Sequence, residues 1–95
     1  MAHYVYVIQS LKDDSYYIGR TSNLKKRLKF HNSVELNTGI TRLRMPWKYF
    51  YTLEVETSSL ADKIEKHIKK MKSRKYILDL KKYPEISRKL IEKYS

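Results

Sequence analysis

The chain has no cysteine, only two glycines and two prolines, and about half as many acidic residues as basic ones. Without cysteine there can be no disulfide, no thiolate metal site and no cysteine nucleophile, which agrees with a reducing compartment. The scarcity of glycine and proline accompanies the lack of any low-complexity tract, internal repeat or interdomain linker. The 95 residues therefore read as one domain over 1–95, large enough for a single modest core. No run approaches the ~20 apolar residues of a membrane span, and the apolar stretch from Tyr4 to Ile8 is too short for a signal peptide. The protein is expected to stay inside the cell, in the cytoplasm. Its three histidines, His3, His31 and His67, lack the spacing of a zinc site, so no structural zinc is expected.

What is abundant is positive charge. Twenty-one Lys and Arg face ten Asp and Glu, giving a net charge of +11 and an isoelectric point near 9.9. A small body with that imbalance carries a positive field, and the expected partner is polyanionic. Nucleic acid is the commonest such partner. A membrane surface is the weaker reading, since no basic helix has a wide aromatic or leucine face free to lie on lipid.

The pattern of apolar residues predicts an α/β (α+β) fold, a small three-stranded antiparallel sheet flanked by helices. His3 to Ser10 and Ser15 to Arg20 are rich in β-branched and aromatic residues, and Lys12-Asp13-Asp14 between them supplies turn chemistry. A hairpin centred there sets Ile8 opposite Tyr17 and Tyr6 opposite Gly19. Tyr6 and Tyr17 then become diagonal neighbours on one face, while Val5, Val7, Tyr16 and Ile18 face the core. A slip of one residue would separate the two phenols. Ser22 or Asn23 caps a helix to about His31, on which Leu24 and Leu28 pair and Arg27 and His31 share one side. Asn32 to Pro46 shows no sustained period and reads as a basic loop. Trp47 to Val55 is the third strand. Ser58 or Ser59 caps the clearest helix, with Leu60, Ala61, Ile64, Ile68 and Met71 as its buried stripe and Glu65 at the stripe's border. Tyr76, Ile77 and Leu80 mark a short helix. Pro84 opens another, with Ile86, Leu90, Ile91 and Tyr94 on one side.

Tyr6, Tyr17, Arg27, His31 and Glu65 offer phenol, guanidinium, imidazole and carboxylate, the parts needed to hold a phosphate ester and hydrolyse it. Each has a plainer role when taken alone. With nine tyrosines, any one is more often a packing residue than a catalyst. Arg27 can be a solvated helix cation, and His31 can sit on a helix C-terminal dipole. Glu65 can pair with Lys69 one turn on, worth only about 0.2–0.5 kcal/mol. Gly19 can serve a bulge or strand end, and Trp47, Tyr49 and Tyr51 can be strand packing. The run from Lys63 to Lys75 is an exposed helix face, which leaves Arg42 and Arg44 as the better candidates for backbone contact with nucleic acid.

The order of these residues is more specific than any one of them. A tyrosine strand with Tyr4-Val5-Tyr6 is followed by Tyr17-Ile18-Gly19, Thr21, Asn23-Leu24, Arg27-Leu28, His31-Asn32, and then Ala61, Glu65 and Ile68-Lys69. Over roughly Tyr4 to Lys75 it resembles the GIY-YIG nuclease family, and is closest to its small stand-alone members. The resemblance implies metal-dependent cleavage of a phosphodiester by a sheet-and-helix domain. It makes Tyr6 and Tyr17 the motif tyrosines, Gly19 the close-approach glycine, Arg27 the phosphate clamp, His31 a proton-transfer partner and Glu65 the ligand of Mg2+ or Mn2+. Two departures stand out: the first motif lacks the glycine that names the family, and no asparagine follows Glu65. The second implies altered substrate geometry or reduced activity.

Elementary chemistry is compatible with those roles. A divalent cation neutralises charge on phosphate and on the departing oxygen, and magnesium tolerates a single carboxylate because waters and phosphate complete its shell. A tyrosine with an ordinary pKa of ~10 needs roughly 4 kcal/mol to ionise at pH 7, so nearby positive charge from Arg27, Arg20 and the metal must assist, or His31 must relay the proton. The expectation is an endonuclease acting on DNA, branched or distorted, in repair or recombination, with Gly19, Arg20, Arg42 and Arg44 against the nucleic acid; RNA is left open. The runner-up is a non-catalytic nucleic-acid-binding module on the same scaffold. A third reading is a protein-interaction domain that acts through a partner or self-association.

Overall fold

The structure is a computed structural model that describes residues 2–95. Strands β1 (His3–Ser10), β2 (Tyr16–Thr21) and β3 (Trp47–Val55) form one antiparallel sheet in the order β2-β1-β3. The hairpin register is the expected one, with Ile8 opposite Tyr17 and Tyr6 opposite Gly19. Its turn explains why. Ser10 and Ser15 close the loop through a 2.8 Å backbone bond, the Ser10 hydroxyl accepts from the amides of Lys12 and Asp13, and Asp14 takes a left-handed φ of 61° that aspartate tolerates.

The centre of the sheet is covered on both faces, on the side of Tyr6 as well as on that of Val5 and Val7. Val5, Val7, Tyr6 and Ile8 are all buried, as befits a middle strand covered on both sides. On one side Val5 and Ile18 pack with Ile64, Ile68, Leu80 and Leu90. On the other, Tyr6, Ile8 and Trp47 form a second core with Tyr17, Leu24, Leu28 and Tyr49. Tyr16, expected in the core, is only half-buried and lies edge-on to Phe50 at 5.0 Å with the Arg74 guanidinium over its ring.

Helix α1 (Leu24–His31) is capped by Asn23, whose side chain accepts from the Lys26 amide at 3.0 Å. It covers the second core. Helices α2 (Ser58–Met71), α3 (Arg74–Lys82) and α4 (Pro84–Tyr94) cover the first. The cap of α2 is Thr57, one residue before the serines expected there, and it accepts from the Leu60 amide at 3.1 Å. Met71, counted in the buried stripe, is 45 % exposed because it ends the helix where Lys72 turns the chain at φ 47°. The segment read as a loop between α1 and β3 contains a 3-10 helix, Ile40–Arg44. No helix among the described residues is long and apolar enough to cross a membrane.

Gly19 on the edge strand β2 is buried beneath the ring of its cross-strand neighbour. A β-carbon there would sit 2.6 Å from Cζ of Tyr6 and closer still to its hydroxyl. That ring is fixed in the second core and cannot swing away. Gly19→Ala should therefore destabilise the fold by about 1–3 kcal/mol through overpacking. Denaturant unfolding measures this, and a variant as stable as the parent would show that the ring has room to move.

Candidate active site

A pocket of about 230 Å³ opens at the β2 edge, lined by Tyr6, Tyr17, Gly19, Arg20, Arg27, Phe30, His31, Asn37, Gly39, Ile40, Thr41 and Glu65. The elements converge there for simple reasons. Strand alternation carries Tyr6 and Tyr17 to one face, and one turn of α1 carries Arg27 and His31 to one side. Glu65 belongs to α2, on the opposite face of the sheet, and reaches the same pocket at the edge strand, where Gly19 has no side chain.

The innermost wall is a chain of buried hydrogen bonds. His31 is held through both ring nitrogens, Nε2 at 2.9 Å from Tyr6 Oη and Nδ1 at 2.9 Å from Thr41 Oγ1. Asn37 is completely buried, and its orientation is unambiguous. Its Oδ1 accepts from the Gly39 amide, while its Nδ2 donates to the His31 carbonyl and to Thr41 Oγ1. Thr41 Oγ1 accepts from Asn37 and still has a lone pair and a proton, so it can accept from or donate to His31 Nδ1. With the ring hydrogen on Nε2 the imidazole donates to the Tyr6 oxygen and accepts from Thr41; with it on Nδ1 both bonds reverse. Asn37 and Thr41 complete this buried chain, and neither stands out in the sequence. In an Asn- and Thr-containing segment beside a glycine, turn chemistry and buried polar networks look alike.

Electrostatics fit this neutral imidazole. Burial, with a smaller push from the Arg27 charge, holds the His31 pKa down at about 4. Burial also raises the Tyr6 phenol well above its ordinary value, which Arg27 only partly opposes, and Tyr49 beside it is pushed up to about 12. Arg27 has no carboxylate partner among the described residues and lies over the Phe30 ring at 5.5 Å. Arg20 behaves differently. Its guanidinium reaches Asp62 at 3.5 Å, Glu65 at 3.4 Å and the Ser58 hydroxyl at 3.3 Å, so its charge is spent on carboxylates rather than on a phenol.

Glu65 is the single carboxylate on the pocket wall, its side chain 12 % exposed, with Lys69 on its second oxygen at 3.2 Å. Among the described residues no three His, Asp or Glu side chains gather as a multidentate metal site. One hard oxygen donor beside open space fits a magnesium-like ion, whose shell is filled mainly by waters and phosphate oxygens, and does not fit zinc. Arg42 and Arg44 lie outside this pocket. Arg42 is exposed, and Arg44 pairs with Asp13 at 3.5 Å on the rim of a neighbouring cleft.

Comparison with known proteins agrees with this architecture. Residues 2–77 match the family model described as the GIY-YIG catalytic domain, which leaves α4 outside the match. A UPF0213 protein of Bacillus licheniformis is 40 % identical over 70 residues, covering 74 % of this chain and 70 % of its own. Another, from Syntrophus aciditrophicus, is 35 % identical over 83 residues, covering 87 % and 94 %. The solution structure of a UPF0213 protein from Bacillus halodurans superposes with a TM-score of 0.52 at 32 % identity, over 84 % of this chain and 82 % of that one.

The depressed His31 pKa has a consequence for stability. Between its usual 6.5 and about 4, the unfolded chain takes up a proton at this residue that the folded chain refuses. Stability must then rise with pH through that window and fall as the solution is acidified. Melting temperatures measured from pH 7 down to 4 should show the decline, and His31→Gln, with nothing to titrate there, should flatten it. A parallel decline in both proteins would place the effect elsewhere.

Proposed function

Because the chain belongs to the GIY-YIG family, we propose that it is a divalent-metal-dependent endonuclease that hydrolyses DNA phosphodiester bonds, with branched or otherwise distorted DNA as substrate. The observation that carries this reading is the meeting of Tyr6, Tyr17, Arg27, His31 and Glu65 around one open pocket in a strongly basic protein. No plainer role for each residue requires all five to meet.

In this reading Arg27 binds the phosphate. Its fork of donors is not engaged by any carboxylate among the described residues, and two parallel bonds to phosphate oxygens would both hold and orient the group. Glu65 would hold Mg2+ or Mn2+, an ion that supplies positive charge at the phosphate and at the leaving oxygen. Tyr6 is the proton acceptor. Hydrolysis joins a water oxygen to phosphorus and breaks the ester bond, and the proton lost by water passes to the Tyr6 oxygen in its phenolate form. Burial opposes that form and Arg27 supports it; a phenolate oxygen, which can only accept, would take an Nε2–H from His31. His31 therefore acts as a donor that steadies the phenolate, and Asn37 and Thr41 act through it as positioning residues. Tyr17 lines the same pocket against the His31 ring, with centroids 5.6 Å apart.

Two measurements test the proposal. With magnesium or manganese, the purified protein should nick or cut flap or four-way DNA. Glu65→Ala should abolish cutting without weakening binding. Binding by both proteins with no cleavage of duplex, flap or four-way substrates would instead favour the non-catalytic module. Because Tyr6 titrates far above neutrality, the cleavage rate should climb about tenfold per pH unit from neutral into mildly alkaline solution. Tyr6→Phe should remove the activity. A flat profile would move the proton acceptor away from Tyr6.

A further inference from the structure

Beside the reactive pocket lies a second cleft, of about 340 Å³, with Tyr16, Tyr17 and Trp47 as aromatic walls and Leu43 and Arg44 at its margin. The two spaces are neighbours: Tyr17, Ile40 and Thr41 line both. Trp47 is fixed there by its indole N–H, which donates to the Thr41 carbonyl at 2.8 Å. Above the cleft the 3-10 helix carries Ile40 and Leu43, each 79 % exposed. In a 3-10 helix residues three apart eclipse, so these two side chains form one apolar ridge. Single exposed apolar residues need no explanation, but a paired ridge over an aromatic cleft is a different object.

We propose that this cleft takes one unstacked nucleobase of the substrate strand, adjacent to the phosphate held in the pocket, and that Ile40 and Leu43 are the wedge that keeps the neighbouring bases apart. The assignment deepens the nuclease reading and rests on it. A base attached to a phosphate at Arg27 has the cleft next to that phosphate's pocket, across the shared residues Tyr17, Ile40 and Thr41. Aromatic rings and an arginine plane are what an unstacked base lies against, whatever its identity. Apolar side chains inserted between bases are a known way for proteins to open a stack.

Charge selects this occupant over a second copy of the chain. The exposed Arg42 lies on the same 3-10 helix as the ridge, and Lys12 leans onto that segment by donating to the Leu43 carbonyl at 3.4 Å. Two molecules of net charge +11 brought together through that surface would repel, whereas the phosphates on either side of a captured base would meet these cations. The site would favour DNA whose bases are already unpaired, because extruding a base from an intact duplex costs most. Selection for branched or distorted DNA would then come from the ease of supplying a free base, without any reading of sequence.

The test places 2-aminopurine at an unpaired position next to the expected scissile phosphate and records its fluorescence as protein is added in EDTA, so that no cleavage intervenes. The parent protein should change the signal to saturation. Leu43→Ser, an exposed substitution, should lose most of that change and bind this DNA about five-fold more weakly, while binding a fully paired duplex as the parent does. No fluorescence change with the parent, or equal weakening on both DNAs, would overturn the base site. So would sedimentation showing that Leu43→Ser converts a dimer to a monomer, which would give the ridge to self-association. Cleavage without the fluorescence change sinks this site alone; the fluorescence change without cleavage sinks the hydrolytic reading alone.

Discussion

The hydrogen bond between Tyr6 Oη and His31 Nε2 joins the middle strand of the sheet to the end of α1, across 25 residues of chain and in a buried setting. Everything on this side of the sheet is arranged to permit it. Gly19 leaves room for the phenol to lie against the edge strand, since any β-carbon there would collide with the ring. Trp47, Leu24 and Leu28 belong to the same core as the ring, and the ring's one polar atom bonds to the imidazole. Asn37 and Thr41 close the other end of the ring. Among the described residues no buried side-chain nitrogen or oxygen is left without a partner, so this polar network is fully satisfied.

That network explains which parts of the site could be read from the residues alone and which could not. Short-range rules carry far. Period-two alternation and the Asp13-Asp14 turn set Tyr6 across from Gly19, and a separation of four residues sets Arg27 and His31 on one side of α1. The helix stripe located Glu65 at its own border. What these rules cannot see is the second layer. A strand with alternating Tyr and Val looks one-sided when tyrosine is taken as half-polar, yet the strand is central and Tyr6 is only 2 % exposed. Likewise Asn37 and Thr41 sit in a segment whose composition says turn, while their burial depends on α1 and β3 closing over them. The α2 cap was misplaced by one residue because Thr57, Ser58 and Ser59 offer the same hydroxyl in succession, and only backbone geometry chooses.

The same division appears in the charges. Counting cations gives a positive field, but says nothing about which of them remain available. Arg20, next to Gly19, is occupied by Asp62 and Glu65, and Arg44 by Asp13. Arg27 is not so occupied, and its charge is felt by Tyr6, Tyr49 and His31 together. Arg20 is a counter-ion to Glu65 beside the pocket, and Arg27 is the cation left to an anion from outside. The two guanidiniums differ in environment, not in chemistry.

A cation with no carboxylate partner among the described residues, beside a phenol whose proton is hard to remove, is an unfinished electrostatic arrangement. In the protein alone, burial dominates, the phenol stays protonated, and the imidazole stays neutral. Positive charge entering the pocket would shift that balance toward phenolate, while an entering phosphate would draw on Arg27 and shift it back. On the proposed mechanism, a group that brings only phosphate would leave the Tyr6 oxygen idle. One that brings phosphate and metal together restores the positive charge that Arg27 gives up. On the proposed mechanism the coupling would lie in a single carboxylate, Glu65, that faces the same space as the arginine, and the reactive state would depend on simultaneous occupancy rather than on either ligand alone.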